Sequence, residues 1–269
     1  MVVEILIRPT PAHVARLVAR IVSDRVRAKP ELVLGCATGR TMEAVYDEIV
    51  AVHDAGHVDL ARVRTFNLDE YVGLSPEDPR SYHHYMRERL FDRVGLSLER
   101  TRLPNGVAPD LAAEARAYER AIADAGGIDL QLLGLGATGH IGFNEPLSAL
   151  MSRTREKALT PTTRAQNAEM FGGDPASVPA RALTMGVGTI LEAREVLLVA
   201  TGAAKAAILA RATEGPITAR ISATALQLHP SCKVIVDEDA ASALEGSAYY
   251  RFSYDNEPEW APYRSNPAL

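Results

Sequence analysis

Short apolar runs and amphipathic stretches alternate from one end of the chain to the other. Residues 2–7 (VVEILI) are apolar and β-branched and predict a strand. The next stretch sets Val14, Leu17, Val18, Ile21 and Val22 at helical spacing, the pattern of a helix with one buried face. Further strands are predicted at 31–35, 61–69, 128–136, 195–201 and 233–238, and helices at 41–55, 81–93, 110–125, 186–193 and 203–213. Asp110 is placed to cap the helix it precedes. Residues 162–181 are polar and carry FGGDP, which predicts a helix leading into a mobile loop, and the tail from Tyr249 reads as irregular.

Repeated strand–helix units predict an α/β fold: one domain over residues 1–269, built as a three-layer α/β/α sandwich around a mainly parallel, Rossmann-like sheet. Ligands of such sheets bind beyond the C-terminal ends of the strands. Three unusual stretches fall there, after the strands at 31–35, 61–69 and 128–136, and the topology would gather them in one crevice.

The first stretch is GCATGRTMEAVY, from Gly35 to Tyr46. A strand, a glycine turn and a helix start present free N–H groups and a dipole that favours anions. Thr38 and Thr41 add hydroxyls, and the absence of GxxxxGK[ST] excludes a Walker loop. The second, FNLDEYVGL, ends a strand in Asp69 and Glu70. A carboxylate there either caps the next turn or, once desolvation raises its pKa, serves as a base. His83 and His84 in the following SYHHYM read as packing or surface residues. The third, GLGATGHIGFNEP, contains Gly134, Gly136 and Gly139 in a GxGxxG pattern. It is not a dinucleotide fingerprint, because no helix can begin among Gly142, Asn144 and Pro146. The glycines let the backbone pass close to a substrate, and His140 with Glu145 reads as an imidazole oriented by a carboxylate. One His and one Glu fall short of a metal site. Lys205 opposes the dipole of the helix it starts, which a bound anion would explain and which a surface lysine also tolerates.

Composition narrows the class. Hydrophobic residues make up 47% of the 269 residues and charged residues 23%, with 29 basic and 34 acidic side chains. A net charge of −5 argues against a nucleic-acid partner. The N-terminus lacks the basic start and long apolar core of a secretion signal, and no stretch is long and apolar enough to enter a membrane. Cys36 and Cys232 stand alone, as reduced thiols do in a reducing compartment, so a cytoplasmic location is expected.

Together LGCATGRTM, FNLDEYVGL, SYHHYM, GHIGFNEP, SRTREKALT and TGAAKA resemble, in order, the motifs of the glucosamine-6-phosphate deaminase/isomerase family, over nearly the whole chain to about Asp237. The resemblance implies deaminating isomerisation of an amino-sugar phosphate, for the parent reaction glucosamine 6-phosphate to fructose 6-phosphate and ammonia, with no cofactor and no metal. It implies a phosphate site at Thr38, Gly39, Arg40, Thr41 and Lys205. Asp69 would be the C2 base, and His140, held by Glu145, the group that opens the sugar ring. Some members are hexamers activated by N-acetylglucosamine 6-phosphate. The matching positions are Ser148, Arg155, Lys157 and Tyr249, so a homo-oligomer and a second phosphate site enter as expectations beside a salt-bridged surface strand. Residues 162–181 would be a lid over the site.

The chain departs from the family pattern at four places. Thr138 stands where aspartate is usual, two residues before the histidine, and a neutral hydroxyl there implies a lower histidine pKa. Glu169 stands where an arginine usually closes on the phosphate, Arg40 replaces the second glycine of the phosphate turn, and Met42 replaces a proline, pointing to a reshaped loop. Either Arg40 takes over the phosphate from the opposite side and pairs with Glu169, or the substrate is a different amino sugar. A sugar-phosphate-binding regulatory protein without turnover is the reading from another class.

Overall fold

The computed structural model describes residues 3–264, so Val2 of the predicted first strand and residues 265–269 lie outside it. Among the described residues there are ten strands: β1 (Glu4–Arg8), β2 (Val33–Cys36), β3 (Arg64–Asn67), β4 (Asp69–Tyr71), β5 (Thr101–Arg102), β6 (Leu130–Gly134), β7 (Arg155–Ala158), β8 (Arg181–Thr184), β9 (Glu195–Ala200) and β10 (Cys232–Asp237). Seven form a parallel sheet in the order β1-β10-β9-β6-β2-β3-β5, and β4-β8-β7 form a small antiparallel sheet.

The helices are α1 (Pro11–Ala28), α2 (Arg40–Asp54), α3 (Tyr82–Met86), α4 (Leu111–Asp124), α5 (Pro161–Asn167), α6 (Val187–Leu191), α7 (Ala206–Thr213), α8 (Glu238–Ala241), α9 (Ser247–Asn256) and α10 (Ala261–Arg264). α1 starts as its sequence dictates: the Thr10 side chain accepts the His13 N–H, Pro11 fills the first turn, and Val14, Leu17, Val18, Ile21 and Val22 are buried. Asp110 caps α4 as predicted, accepting the Ala113 N–H at 2.9 Å.

The sheet order places a switch point between β2 and β6. From β2 the chain runs outward to β3, whereas from β6 it runs the other way to β9. Connections that diverge from two adjacent parallel strands leave a crevice at their C-terminal ends. The turns after β9, β6, β2 and β3 open there side by side.

The small sheet stands beyond that edge. Asp69 and Arg155 are both register partners of Thr184, so β4, β8 and β7 carry these three residues as one row. A second apolar cluster supports this sheet, with Tyr71 packed on Tyr82, Phe143 and Phe171 at ring distances of 5.0, 5.4 and 5.3 Å.

The structure corrects several sequence readings. The predicted strand at 61–69 breaks after Asn67, and Asp69 begins a strand of the other sheet. The helix at 81–93 is α3 followed by a π-helical turn, Arg87–Phe91. The helix expected to open residues 162–181 is α5, and the stretch after it holds two 3-10 turns and the start of β8, with Ala168, Phe171 and Val178 buried in the second cluster. The tail from Tyr249 is helical, as α9 and α10. The Met42 side chain, at the position where the family prefers proline, is buried in the main core.

Candidate active site

The turn after β2 is the candidate anion cradle. Gly39 takes φ 110° and ψ 168°, a conformation open to glycine, and α2 begins at the next residue. A glycine cap has no side chain to bond the helix start; the Met42 and Glu43 N–H groups go to the Gly39 carbonyl, which leaves those of Arg40 and Thr41 as the candidates for an anion. The turn is held from behind by Tyr46, which donates to the Ala37 carbonyl at 2.6 Å, and by Tyr85, which donates to the Gly39 carbonyl at 3.0 Å. Thr38 lies beside the Tyr82 hydroxyl. Arg40 projects from the first position of α2 into solvent, and its guanidinium meets Glu169 at 2.8 Å.

Lys205 lies in the turn after β9. One of its three N–H bonds goes to the Leu135 carbonyl at 2.7 Å, and burial pulls its pKa below the usual lysine range. A partly buried ammonium with donors to spare is a site for an anion.

The two carboxylates after β3 have different surroundings. Successive strand residues point to opposite faces. Glu70 is fully buried and accepts the N–H groups of Tyr71, Tyr82 and His83, together with His83 Nδ1 at 2.8 Å. It anchors the start of α3, so the capping role applies to Glu70. Asp69 is 5% exposed, and its pKa is pushed up to about 8, first by burial and second by the Glu70 charge. The Phe143 N–H and the Thr184 hydroxyl beside it favour the charged form and offset part of that rise. A desolvated carboxylate with little hydrogen bonding and a pKa near neutrality suits proton abstraction from carbon.

The turn after β6 carries the imidazole. The Gly136 N–H donates to the His140 carbonyl at 2.9 Å and closes a tight loop. The ring then lies directly over Gly136, where any side chain would collide with it. The hydrogen-bond partner of Nδ1 is the Thr138 hydroxyl at 2.8 Å. This corrects the expectation that Glu145 holds the ring: the Glu145 carboxylate is taken by the Thr160 N–H at 2.9 Å and by the Thr160 hydroxyl. Glu145 still acts through its charge. Burial lowers the His140 pKa, Glu145 raises it and Lys205 lowers it, with a net fall below the ordinary histidine value. The ring is therefore neutral near pH 7, able to take one proton and give another.

The segment at 161–171 reaches both loops. Gln166 accepts the Ala137 N–H at 3.2 Å on one side, and Glu169 pairs with Arg40 on the other.

Ser148 and Arg155 come together as expected, while the other two residues of that group do not join them. Arg155 donates to Asn144 Oδ1 at 2.8 Å and to Ser148 Oγ at 3.0 Å, and Ser148 is buried. Lys157 follows on β7 without a hydrogen bond or ion pair among the described residues. Tyr249 lies on α9, which packs against β1 at the far edge of the large sheet.

Sequence reasoning missed Thr160, Gln166, Thr184 and the structural use of His83. Only Thr160, immediately ahead of a helix that opens with a proline, carried a local signal, that of an N-cap.

Comparison with known proteins fits this geometry. Residues 10–235 match the family model described as glucosamine-6-phosphate isomerases/6-phosphogluconolactonase. A glucosamine-6-phosphate deaminase of Hahella chejuensis is 50% identical over 93% of this chain and 95% of its own, and one of Rhodopirellula baltica is 51% identical over 92% and 98%. Among solved structures, a monomeric glucosamine-6-phosphate deaminase superposes with TM-score 0.87 and 41% identity, covering 89% of this chain and 99% of that one. A 6-phosphogluconolactonase from Trypanosoma cruzi superposes with TM-score 0.74 at 21% identity, covering 90% of this chain and 97% of that one, a likeness of fold. The chain belongs to the glucosamine-6-phosphate isomerase/6-phosphogluconolactonase family.

Proposed function

We propose that this protein deaminates and isomerises glucosamine 6-phosphate, giving fructose 6-phosphate and ammonia. The observation that carries the reading is Asp69: a carboxylate buried at the start of β4, raised to about 8, and set against the loop that bears His140. A lactone hydrolase or a pure binder has no use for a base tuned to a carbon acid.

The phosphate sits on the N–H groups and hydroxyls of Thr38, Gly39, Arg40 and Thr41, with Lys205 opposite. His140 moves the C1 hydroxyl proton to the ring oxygen and frees the aldehyde. Asp69 takes the C2 proton, its bonding pair forms the C1–C2 double bond, the carbonyl pair moves to the C1 oxygen, and that oxygen takes a proton given up by the C2 ammonium, so a neutral enolamine forms. Return of the proton to C1 leaves an imine at C2. Water adds there, ammonia departs, and the ketose phosphate remains. The substrate's own carbonyl acidifies the C2 proton, so the scheme uses no cofactor. Asp69 must lose its proton first, and the substrate ammonium on C2 favours that ionised form.

Ser148 and Arg155, with Lys157 nearby, make the second phosphate site of this reading, for an activator such as N-acetylglucosamine 6-phosphate. Assembly into a homo-oligomer and a cytoplasmic location belong to the same reading. The two free, buried thiols suit a reducing compartment.

The test is release of ammonia and fructose 6-phosphate from glucosamine 6-phosphate, beside an Asp69→Asn control. Turnover that disappears in the control supports the reading. A folded wild-type protein that releases neither product sinks it and directs the search to other amino sugars.

A further inference from the structure

Arg40 and Glu169 face each other across the mouth of the candidate site. Arg40 is the first residue of α2 and stands beside the N–H groups of the anion cradle. A cation at a helix N-terminus opposes the dipole and is stabilised by an anion placed next to it. Here that anion is Glu169, 2.8 Å away. The two side chains are 79% and 75% exposed, so water reaches both and the pair is readily exchanged. The backbone beneath the carboxylate is nevertheless fixed. Ala168 and Phe171 on either side are buried in the second apolar cluster, and Gln166 is tied to the Ala137 N–H. The carboxylate is thus held over the cradle by an anchored turn.

Resting on the phosphate site proposed above, we infer that Glu169 is a built-in competitor for the substrate's phosphate, and so the residue that sets affinity and selects for a multiply charged anion. With the cradle empty, Glu169 occupies Arg40. A sugar phosphate brings more than one negative charge and three acceptor oxygens to the same guanidinium, and the helix N-terminus adds to its hold. It therefore displaces a single carboxylate. A neutral sugar offers nothing to Arg40 and leaves the ion pair intact. Two anions on one exposed guanidinium repel, so phosphate binding also turns the Glu169 side chain away from Arg40, while its backbone stays anchored.

Binding of inorganic phosphate, measured by calorimetry on wild type, Glu169→Gln, Arg40→Gln and the double variant, tests this. The KM for the sugar phosphate is read in parallel, and thermal melts establish that each variant folds. Glu169→Gln is expected to bind phosphate more tightly by about two- to fivefold, the range an exposed ion pair supplies, with KM falling to match. Arg40→Gln is expected to bind it more weakly, and in that background removing Glu169 should change affinity little. Weaker binding in Glu169→Gln would overturn the inference, because Glu169 would then be a positioner of Arg40. Unchanged binding would overturn it as well, and so would an equal gain with and without Arg40, which marks general repulsion. Phosphate binding needs no turnover, so a failed deaminase assay would sink the proposed reaction and leave this test standing.

Discussion

A methyl group on Gly136 would stand 2.1 Å from His140 Nε2 and 2.3 and 2.4 Å from two of the ring carbons. The imidazole occupies the place a side chain would take. Gly136→Ala should therefore expel the ring while leaving the β6 strand formed. The expected loss in kcat is about 100- to 10,000-fold, the contribution of one positioned acid–base group. The accompanying loss of stability should be about 1–3 kcal/mol, as for overpacking. A folded variant with wild-type kcat would show that His140 does not act from this position.

The raised Asp69 pKa gives two dependences on pH with one origin. Activity needs the ionised form, so kcat/KM should climb with pH towards about 8. Glu70 is the second cause of the rise, and Glu70→Gln should move that limb to lower pH. Stability should run the other way. The folded protein keeps a proton that the unfolded chain releases at the ordinary value of 3.8, so stability declines as pH rises from about 4 to about 8. Asp69→Asn should flatten this decline in urea titrations at stepped pH. An unaltered slope would contradict the burial argument.

Thr138 touches the ring nitrogen of His140 that faces away from Gly136. Thr138→Asp would set a carboxylate there and should raise the His140 pKa, because the imidazolium gains a partner. Glu145→Gln should lower it further, since Glu145 is the group that now raises it. NMR titration of the ring protons reads both. Movement in the opposite direction for either variant would refute the assignment.

The proposed second phosphate site would make Arg155 essential and Tyr249 dispensable. N-acetylglucosamine 6-phosphate at a hundred times its Kd should stabilise the protein by about 2.7 kcal/mol. Arg155→Gln should abolish that gain, whereas Tyr249→Phe should keep it, since Tyr249 lies on α9 against β1. A thermal shift that depends on Tyr249 and not on Arg155 would place the activator elsewhere.

Periodicity revealed the large sheet and its covering helices because β6, β9 and α1 bury one continuous face or both. Leu130, Leu132 and Leu133 are wholly inaccessible, and only Gln131 interrupts the apolar run there. The small sheet left no such trace. β7 reads REKA and β8 RALT, and their pairing is set by distant partners on β4 and by the cluster around Tyr71. The site was legible where one residue carries the chemistry, as with Asp69, His140 and Lys205. It was misread where orientation depends on a neighbour far along the chain: Glu145 turns to Thr160, fifteen residues on, instead of to His140. The choice between Asp69 and Glu70 likewise needed the start of α3, more than ten residues away, which claims Glu70.

The row Asp69–Thr184–Arg155 has a consequence for how the protein senses its surroundings. Register partners present their side chains on one face. That face meets residues 142–144, for Gly142 approaches Asp69 and Thr184, the Phe143 N–H donates to the Thr184 hydroxyl, and Arg155 donates to Asn144. An anion that draws Arg155 away from Asn144 loosens the same peptide stretch that sets the proton affinity of Asp69. Linkage then works in both directions: any shift the anion causes in the Asp69 proton equilibrium is returned, equal in free energy, as a dependence of anion affinity on pH. The charge state of a buried base would thus be readable from outside, in the binding curve of a ligand that never touches it.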